Sequence, residues 1–371
     1  MNLLEYSAKH MVLSRAGIPV PNGILCLTPE DAAGAYDKLG ACVIKAQVST
    51  GKRGKSGGVR LAFSADEAKE AAAAILALTI NGFPVAAVLA EEKADIEREY
   101  YAAILPDPVT RSPMVLFSEE GGMDIEELAE RKPEAIRRFY VDVSAGFSEA
   151  DAAELAEGPY AAGIAPILVR LYEAFVANDG ELLEINPLAV LKDKSIVALD
   201  CKFILDPAAA FRQPELAATA VPERRTRLEK EAEDAGLKFI ELEGNVAILA
   251  NGAGLTMTTM DAVSHFGGRP ANFQEIGGEA YTKAETALRI VLSNPGVKSL
   301  VVNFCGAFAR TDVMAEGVVA AWEKLTPEIP VFFSIHGTGS GEAINLVRSR
   351  LGFEPYDFME DAVKAAVEAA R

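Results

Sequence analysis

Four times in the last third of this 371-residue chain, an apolar run gives way to a glycine-rich turn and then to a helical pattern. The runs read as strands at 246–250, 271–276, 299–304 and 331–335. The turns carry Asn251-Gly252-Ala253-Gly254, Gly277-Gly278, Cys305-Gly306-Ala307-Phe308-Ala309-Arg310 and His336-Gly337-Thr338-Gly339-Ser340-Gly341. Helices follow at 256–266, 282–292, 312–324 and 343–351, with a last one at 359–370. Strict alternation of strand and helix with short loops implies a parallel, doubly wound sheet, because parallel neighbours need a crossover connection. Every such turn follows a strand and precedes a helix. All therefore collect at the carboxyl edge of the sheet, beside helix N-termini, where such folds hold anions. The plainer alternative is that parallel sheets need glycines at these turns whatever they bind.

The first two-thirds read differently. A helix is expected at 3–16, a strand at 23–27, and a helix from Thr28-Pro29, with Thr28 as N-cap and Pro29 at the first helical position. Strands follow at 42–47, 59–63, 85–91, 98–105 and 113–118, with helices at 66–78, 125–130, 133–138 and 163–177. Segments 181–186 and 195–200 pair as a hairpin. This is an α+β mixture without regular alternation. The charge-dense, aromatic-free stretch 214–234 reads as a solvated helix or linker and marks the boundary between domains 1–235 and 236–371.

Two segments of the first domain carry chemistry. Lys45 ends an apolar strand and faces a loop with Gly51, Gly54, Gly57 and Gly58. The glycines let backbone amides turn toward phosphates, while Lys45, Lys52, Arg53 and Lys55 supply charge. No GKS or GKT triplet opens a helix here, so this is not a Walker A loop, and an exposed hairpin with solvated lysines would look similar. The second segment holds Glu184, Asn186 and Asp200. An amide and a carboxylate oxygen suit Mg²⁺, which keeps few protein ligands; a turn asparagine with a capping aspartate is the alternative. Glu91 and Glu99 could accept from a ribose hydroxyl or an adenine amine, or could be plain surface acids. His336 could accept a phosphoryl group, although a loop histidine is more often simply exposed.

Composition excludes other classes. A formal net charge of −18 disfavours nonspecific binding to nucleic acid or anionic membranes. The four cysteines are scattered without a CxxC pair, which argues against a disulfide framework or a zinc site and for a cytoplasmic origin. The amino terminus reads as an amphipathic helix rather than a signal peptide.

The segments MNLLEYSAKHMVLSRAGIPVPNG, KAQVSTGKRGKSGGV, EGGMDIEELA, LLEINPLAV, FRQPEL, NGAGLTMTTMDAV, GGRPANFQEIGG and VVNFCGAFARTD resemble, in order, the signatures of succinyl-CoA synthetase β-subunits. The resemblance covers essentially the whole chain. It implies an ATP-grasp N-terminal domain and a flavodoxin-like CoA-ligase domain. Lys45, Lys52, Arg53, Gly54, Glu91, the backbone at Ala94, and Glu99 align with the nucleotide site for ATP or GTP. Asn186 and Asp200 align with Mg²⁺ ligands, and Glu184 with a glutamate that meets a mobile phosphohistidine. Asn251, Ala307, Phe308 and Ala309 align with the carboxylic-acid site. The phosphohistidine and most of the CoA site belong to an α-subunit partner, in an αβ or α₂β₂ assembly. This chain has no Gly-His-Ala-Gly loop of its own.

Some positions depart from the family pattern. Gly51-Lys52-Arg53-Gly54 stands where Gly-Gly-Arg-Gly is usual, and Gly306-Ala307-Phe308-Ala309-Arg310 where Gly-Gly-Ile-Val-Arg is usual. Phe333-Ser334-Ile335-His336-Gly337-Thr338 replaces Val-Arg-Leu-Glu-Gly-Asn, which removes a cation. These changes point to a paralogue that activates an acid other than succinate. Two further readings stay open: a stand-alone ATP-grasp carboxylate–amine ligase, and a non-catalytic nucleotide-binding subunit.

Overall fold

The computed structural model describes residues 1–51, 53–221, 225–277 and 282–371. The chain divides into two units, Met1–Glu223 and Arg224–Arg371. This division falls earlier along the chain than the expected boundary at 235/236. Helix Arg227–Asp234 is charged on most of its surface, but it buries Leu228 and Ala232, one turn apart, in the same apolar cluster as Leu249, Leu300 and Phe333. Two apolar residues at i and i+4 are enough to dock a helix whose other faces stay in water.

The first unit contains a small antiparallel sheet in the order Gly23–Cys26, Val88–Glu92, Cys42–Ala46, Val59–Ala62. Side chains on a strand alternate between faces. One face sends Cys42, Ile44, Ala46, Val88 and Ala90 into a core with helices Pro29–Leu39 and Ala65–Leu76. The other face presents Val43, Lys45, Leu89 and Glu91; Val43 lies opposite Glu91, and Lys45 opposite Leu89. Thr28 caps its helix as expected, accepting from the Asp31 amide while Asp31 reaches back, with Pro29 in the first turn.

A larger sheet runs Ile136–Tyr140, Ser112–Ser118, Ile96–Asp107, Gly180–Leu191, Lys202–Leu205, Asn2–Leu3, Ala220–Val221, with Ile196–Ala198 on Gly180–Leu191. Helix Ala161–Ala177 packs its Ile164, Leu168 and Leu171 against this sheet with Leu183, Ile185 and Phe203. Strand Asn2–Leu3 is antiparallel to both of its neighbours.

Three local expectations are corrected. Segment 133–138 is a short 3₁₀ turn, Pro133–Ala135, followed by edge strand Ile136–Tyr140. The run Ile-Arg-Arg-Phe-Tyr supplies β-branched and aromatic residues, and pairing with Ser112–Ser118 decides its state. The hairpin forms farther along than expected. Leu188–Val190 pairs with Ile196–Ala198, whereas Leu182–Glu184 pairs with Lys202–Ile204. The expected helix at 3–16 is α-helical only over Glu5–Ala8 and then widens to a π-helical turn, Lys9–Leu13.

The second unit bears out the alternating pattern. Val246–Ala250, Ser299–Gly306 and Val331–Gly337 are parallel and in register, with Ala250 beside Asn303 and Asn303 beside Ser334. Parallel bridges on either side of Asn272–Gln274, Pro270 to Val246 and Glu275 to Ala250, tie this segment to Val246–Ala250, and Asn272–Gln274 takes Phe239–Glu241 as an antiparallel partner. Alternate residues feed two cores. Ala247, Leu249, Leu300 and Val302 pack with helices Ala284–Leu292, Thr311–Leu325 and Ser340–Leu351, while Val246, Ile248 and Val301 pack with Ala253–His265 and Met359–Ala369. A sheet covered on both faces explains why its strands are apolar throughout. No helix among the described residues is long and apolar enough to cross a membrane.

Candidate active site

Within the first unit, the two sheets enclose a cavity of about 660 Å³. It is lined by Lys45, Arg53, Gly54, Glu91, Ala94 and Glu99 from one set of sequence candidates and by Glu184, Asn186 and Asp200 from the other. Lys52 lies outside the described residues. Val43, Val59 and Leu61 add an apolar floor, with Leu61 exposed. Apolar walls with a few convergent polar groups are the usual character of a ligand cavity of this size.

One side of the cavity is a network of ion pairs. Lys45 Nζ donates to Glu5 Oε1 at 3.1 Å, to Glu91 Oε2, and to the Leu199 carbonyl at 2.6 Å. Arg53 donates to Glu5 Oε2 at 2.7 Å, to the Ala46 carbonyl at 2.8 Å, and to both oxygens of Asp200 at 2.7 Å. Lys9, fully buried, donates to Glu91 Oε1 at 2.5 Å and pairs with Glu5 Oε1 at 2.8 Å. Burial alone would lower the Lys45 value. The Glu5, Glu91 and Asp200 carboxylates outweigh it and hold the ammonium above its ordinary range. Burial likewise pushes Glu5 up, but Lys45, Lys9 and Arg53 together hold it well below the usual carboxylate value.

This arrangement changes the meaning of Glu91. Both of its oxygens are engaged, one by Lys9 and one by Lys45. A ribose hydroxyl or adenine amine would have to compete with two ammonium groups for them. Glu99, half-buried on the facing sheet, has no such partner pair among the described residues. The glycine loop is also partly closed on itself. The Arg53 carbonyl accepts from the Ser56 and Gly58 amides, and the Gly54 carbonyl from the Gly57 amide. Gly58 fits closely there: a β-carbon would meet the end of the Ile80 side chain at 2.8 Å and the Arg53 carbonyl at 3.1 Å.

The opposite wall comes from the larger sheet. Glu184 stands beside Ala103 on one neighbour and Lys202 on the other, which puts Glu99, Tyr101, Glu184 and Lys202 on one face. Tyr101 donates to Glu184 Oε2 at 3.3 Å. Burial raises the Glu184 carboxyl, partly offset by Lys202 and by the Tyr101 hydroxyl. Burial, then the Glu184 charge, pushes the Tyr101 phenol far above its ordinary value.

Asn186 sits at an irregularity in the pairing between Ile185 and Leu188, before a cis Asn186–Pro187 peptide. Its Oδ1 accepts from the Gly122 amide at 2.9 Å, and its Nδ2 donates to the Met123 carbonyl at 2.8 Å. Asp200 Oδ1 also accepts from the Cys201 amide at 2.8 Å.

Asn186 and Asp200 fit a Mg²⁺ ion. Both offer hard oxygens to the same cavity, both are fixed by hydrogen bonds, and a carboxylate retains lone pairs beyond those given to Arg53. Among the described residues, no group of three or more His, Cys, Asp or Glu could hold a metal.

In the second unit, the remaining candidates gather at the carboxyl edge of the parallel sheet. The Asn251 side chain bridges to the next strand, donating to the Cys305 carbonyl at 2.9 Å and accepting from its amide at 2.7 Å. The loop bearing Ala307, Phe308 and Ala309 follows, with Phe308 fully exposed. It is pinned to its neighbour where the Thr338 amide donates to the Gly306 carbonyl at 3.1 Å. His336 is exposed, its Nε2 3.1 Å from Ser334 Oγ.

A family model described as an ATP-grasp domain matches residues 2–190, and one described as CoA-ligase matches residues 249–352. The chain is 43% identical over 375 residues to the GDP-forming succinate–CoA ligase subunit beta of Thermus thermophilus, covering 99% of this chain and 98% of that one. It belongs to the succinate–CoA ligase β-subunit family. The ADP-forming subunit beta of Rubrobacter xylanophilus is 42% identical, covering 100% of this chain and 99% of its own. Membership makes the chain part of a ligase of the acid–thiol class. The fold is also that of the ATP citrate lyase from Methanothrix soehngenii, whose structure in complex with citrate and coenzyme A superposes with a TM-score of 0.72 at 24% identity over 99% of both chains.

Sequence reasoning missed Glu5, Lys9 and Tyr101. A signal for the first two was present: Glu5 and Lys9 are spaced i, i+4, and Lys9 interrupts the apolar side of an amphipathic pattern. Tyr101 carried none, because a tyrosine in a strand-like run reads as core.

Proposed function

We propose that this chain is the β-subunit of an NDP-forming acyl-CoA synthetase and that the cavity of its first unit binds a Mg²⁺-nucleoside triphosphate. The observation that carries the reading is the facing of Lys45 and Arg53 with Glu184, Asn186 and Asp200 across one cavity. Lys45 and Arg53 neutralise the phosphates, and Glu99 takes a ribose hydroxyl. Asn186 and Asp200 would hold Mg²⁺, which would supply charge neutralisation to the phosphates.

The phosphoryl acceptor is a histidine of an α-subunit. Its neutral imidazole nitrogen forms the N–P bond as the bond to the departing nucleoside diphosphate breaks. Glu184, oriented by Tyr101, meets the imidazole and balances its developing positive charge. The phosphoryl group then passes to a carboxylic acid, and the thiol of CoA displaces phosphate from the acyl phosphate. Asn251 and the loop Ala307, Phe308 and Ala309 contribute to the acid's site, with most of the CoA site on the partner. Ala307 and Phe308 favour an acid other than succinate, because a methyl and an aromatic ring stand where the family usually has glycine and isoleucine.

The test is NDP release by the chain co-purified with its partner, across a panel of carboxylic acids. Turnover that needs acid, CoA and partner together is expected. Turnover by the isolated chain with an amine in place of CoA would favour the stand-alone ligase reading.

A further inference from the structure

We propose that Lys9 is a positioning residue for nucleotide binding: a resident counter-ion that keeps Glu5 and Glu91 paired while Lys45 and Arg53 turn to the triphosphate. The proposal rests on reading the cavity as a nucleotide site.

Two lysines share one set of acceptors. Lys9 Nζ contacts Glu5 Oε1, Glu91 Oε1 and the Leu199 carbonyl at 2.8, 2.5 and 2.6 Å. Lys45 Nζ contacts Glu5 Oε1, the other oxygen of Glu91, and the same Leu199 carbonyl. Lys9 donates to Glu91 and to the Leu199 carbonyl and pairs with Glu5, and Lys45 donates to the same three groups, so exposure is what separates the two lysines. The Lys9 side chain is 1% exposed, and it is not part of the cavity wall; Lys45 lines the cavity and is 12% exposed. One lysine is therefore fixed in the protein, and the other is at liberty to exchange its partners for a ligand.

The charges require such a division. Among the described residues, Glu5, Glu91 and Asp200 face Lys9, Lys45 and Arg53, three anions against three cations. Glu5 and Glu91 are almost fully buried. Drawing Lys45 and Arg53 toward phosphates would strand both carboxylates in a poorly solvated site unless a third cation stays behind, and unpaired buried charge is heavily penalised. Without Lys9, the carboxylates would hold Lys45 and Arg53 against the ligand, which makes them internal competitors of the triphosphate.

The local fold places Lys9 for this role. The Lys9 carbonyl accepts from the Ser14 amide at 2.8 Å, a π-type bond that widens the helix at this residue. Glu5 lies one turn before it, so the motif Glu-Tyr-Ser-Ala-Lys delivers an anion and its cation together.

The test is titration calorimetry of Mg-ATP on the full chain with any partner that co-purifies, using wild type, Lys9→Met, Lys9→Arg and the double variant Glu5→Gln/Lys9→Met. Lys9→Met is expected to raise Kd by about tenfold or more, and Lys9→Arg to stay within about threefold of wild type. The double variant has two cations against two carboxylates and is expected to recover most of the lost affinity. In turnover, the Lys9→Met defect is expected in KM for ATP more than in kcat. A Lys9→Met affinity within about twofold of wild type, or a double variant no better than the single one, overturns the proposal. Should Lys9→Met not fold, the double variant is compared with wild type directly; retained affinity supports the proposal, and a loss of about tenfold contradicts it. Absence of Mg-ATP binding in wild type would instead overturn the nucleotide reading.

Discussion

Arg53 and Asp200, 147 residues apart in the chain, meet across the cavity, with one guanidinium nitrogen 2.7 Å from each carboxylate oxygen. The contact joins the glycine loop beside the small sheet to the turn between Ile196–Ala198 and Lys202–Leu205. It engages a phosphate-binding candidate with a metal-binding candidate. A triphosphate with Mg²⁺ would separate the two charges and satisfy each with its own partner.

Asp200→Asn should therefore lower NDP formation by about a hundredfold or more, since a carboxylate that would hold the charge-neutralising Mg²⁺ is lost. The fold should survive, because Asp200 is 37% exposed and Arg53 keeps Glu5. Steady-state turnover alongside circular dichroism checks both parts. Near-normal turnover would remove Asp200 from the metal site.

Acid stability should depend on Glu5. Its folded-state value is depressed, so below the ordinary glutamate value of 4.5 the unfolded chain binds more protons than the folded one. Stability from this group is present above that pH and is lost as pH falls through the folded value. Glu5→Gln should cost about 3 kcal/mol at neutral pH. The gap to wild type should shrink in acid. Urea unfolding at several pH values measures it, and a gap independent of pH would contradict the assignment.

The loop that holds Asn186 tolerates no side chain at Gly121, where a β-carbon would lie 2.4 Å from the backbone of Tyr100. Gly121→Ala should displace the Gly122 and Met123 groups that orient the Asn186 amide. A stability loss of about 1–3 kcal/mol is expected. The apparent Mg²⁺ requirement should rise with it. Thermal unfolding and a Mg²⁺ titration of turnover read the two effects separately.

Acid choice should respond to Ala307 and Phe308. Ala307→Gly with Phe308→Ile should change the ratio of kcat/KM values between acids by about tenfold, the range that pocket shape alone supplies. Affinity for ATP should not move. Unchanged selectivity across the panel would take these positions out of the acid site.

The second unit was legible in sequence because its strands are buried on both faces and its turns are marked by glycine. Apolar runs such as Val246–Ala250 have no competing reading once helices flank them. The first unit was less so. Ile136–Tyr140 became a strand only through its pairing with Ser112–Ser118, a contact distant in sequence. The hairpin register depended on an irregularity at Asn186 that periodicity does not register. Lys45, Arg53, Glu184, Asn186 and Asp200 could be singled out because their chemistry stands out locally, and all of them line one cavity. Glu5 and Lys9 were missed because their value lies in whom they meet, and Lys9 meets Glu91 across 82 residues of chain.

The most direct measurement is phosphoryl transfer itself. The chain, recovered with whatever co-purifies, is given γ-labelled ATP and Mg²⁺, and the polypeptides are separated under alkaline conditions. Acid-labile label on a second polypeptide, discharged by CoA together with one carboxylic acid, is the expected result. Stable label on this chain alone, or label that forms on the partner after Asp200→Asn as fast as in wild type, would contradict it.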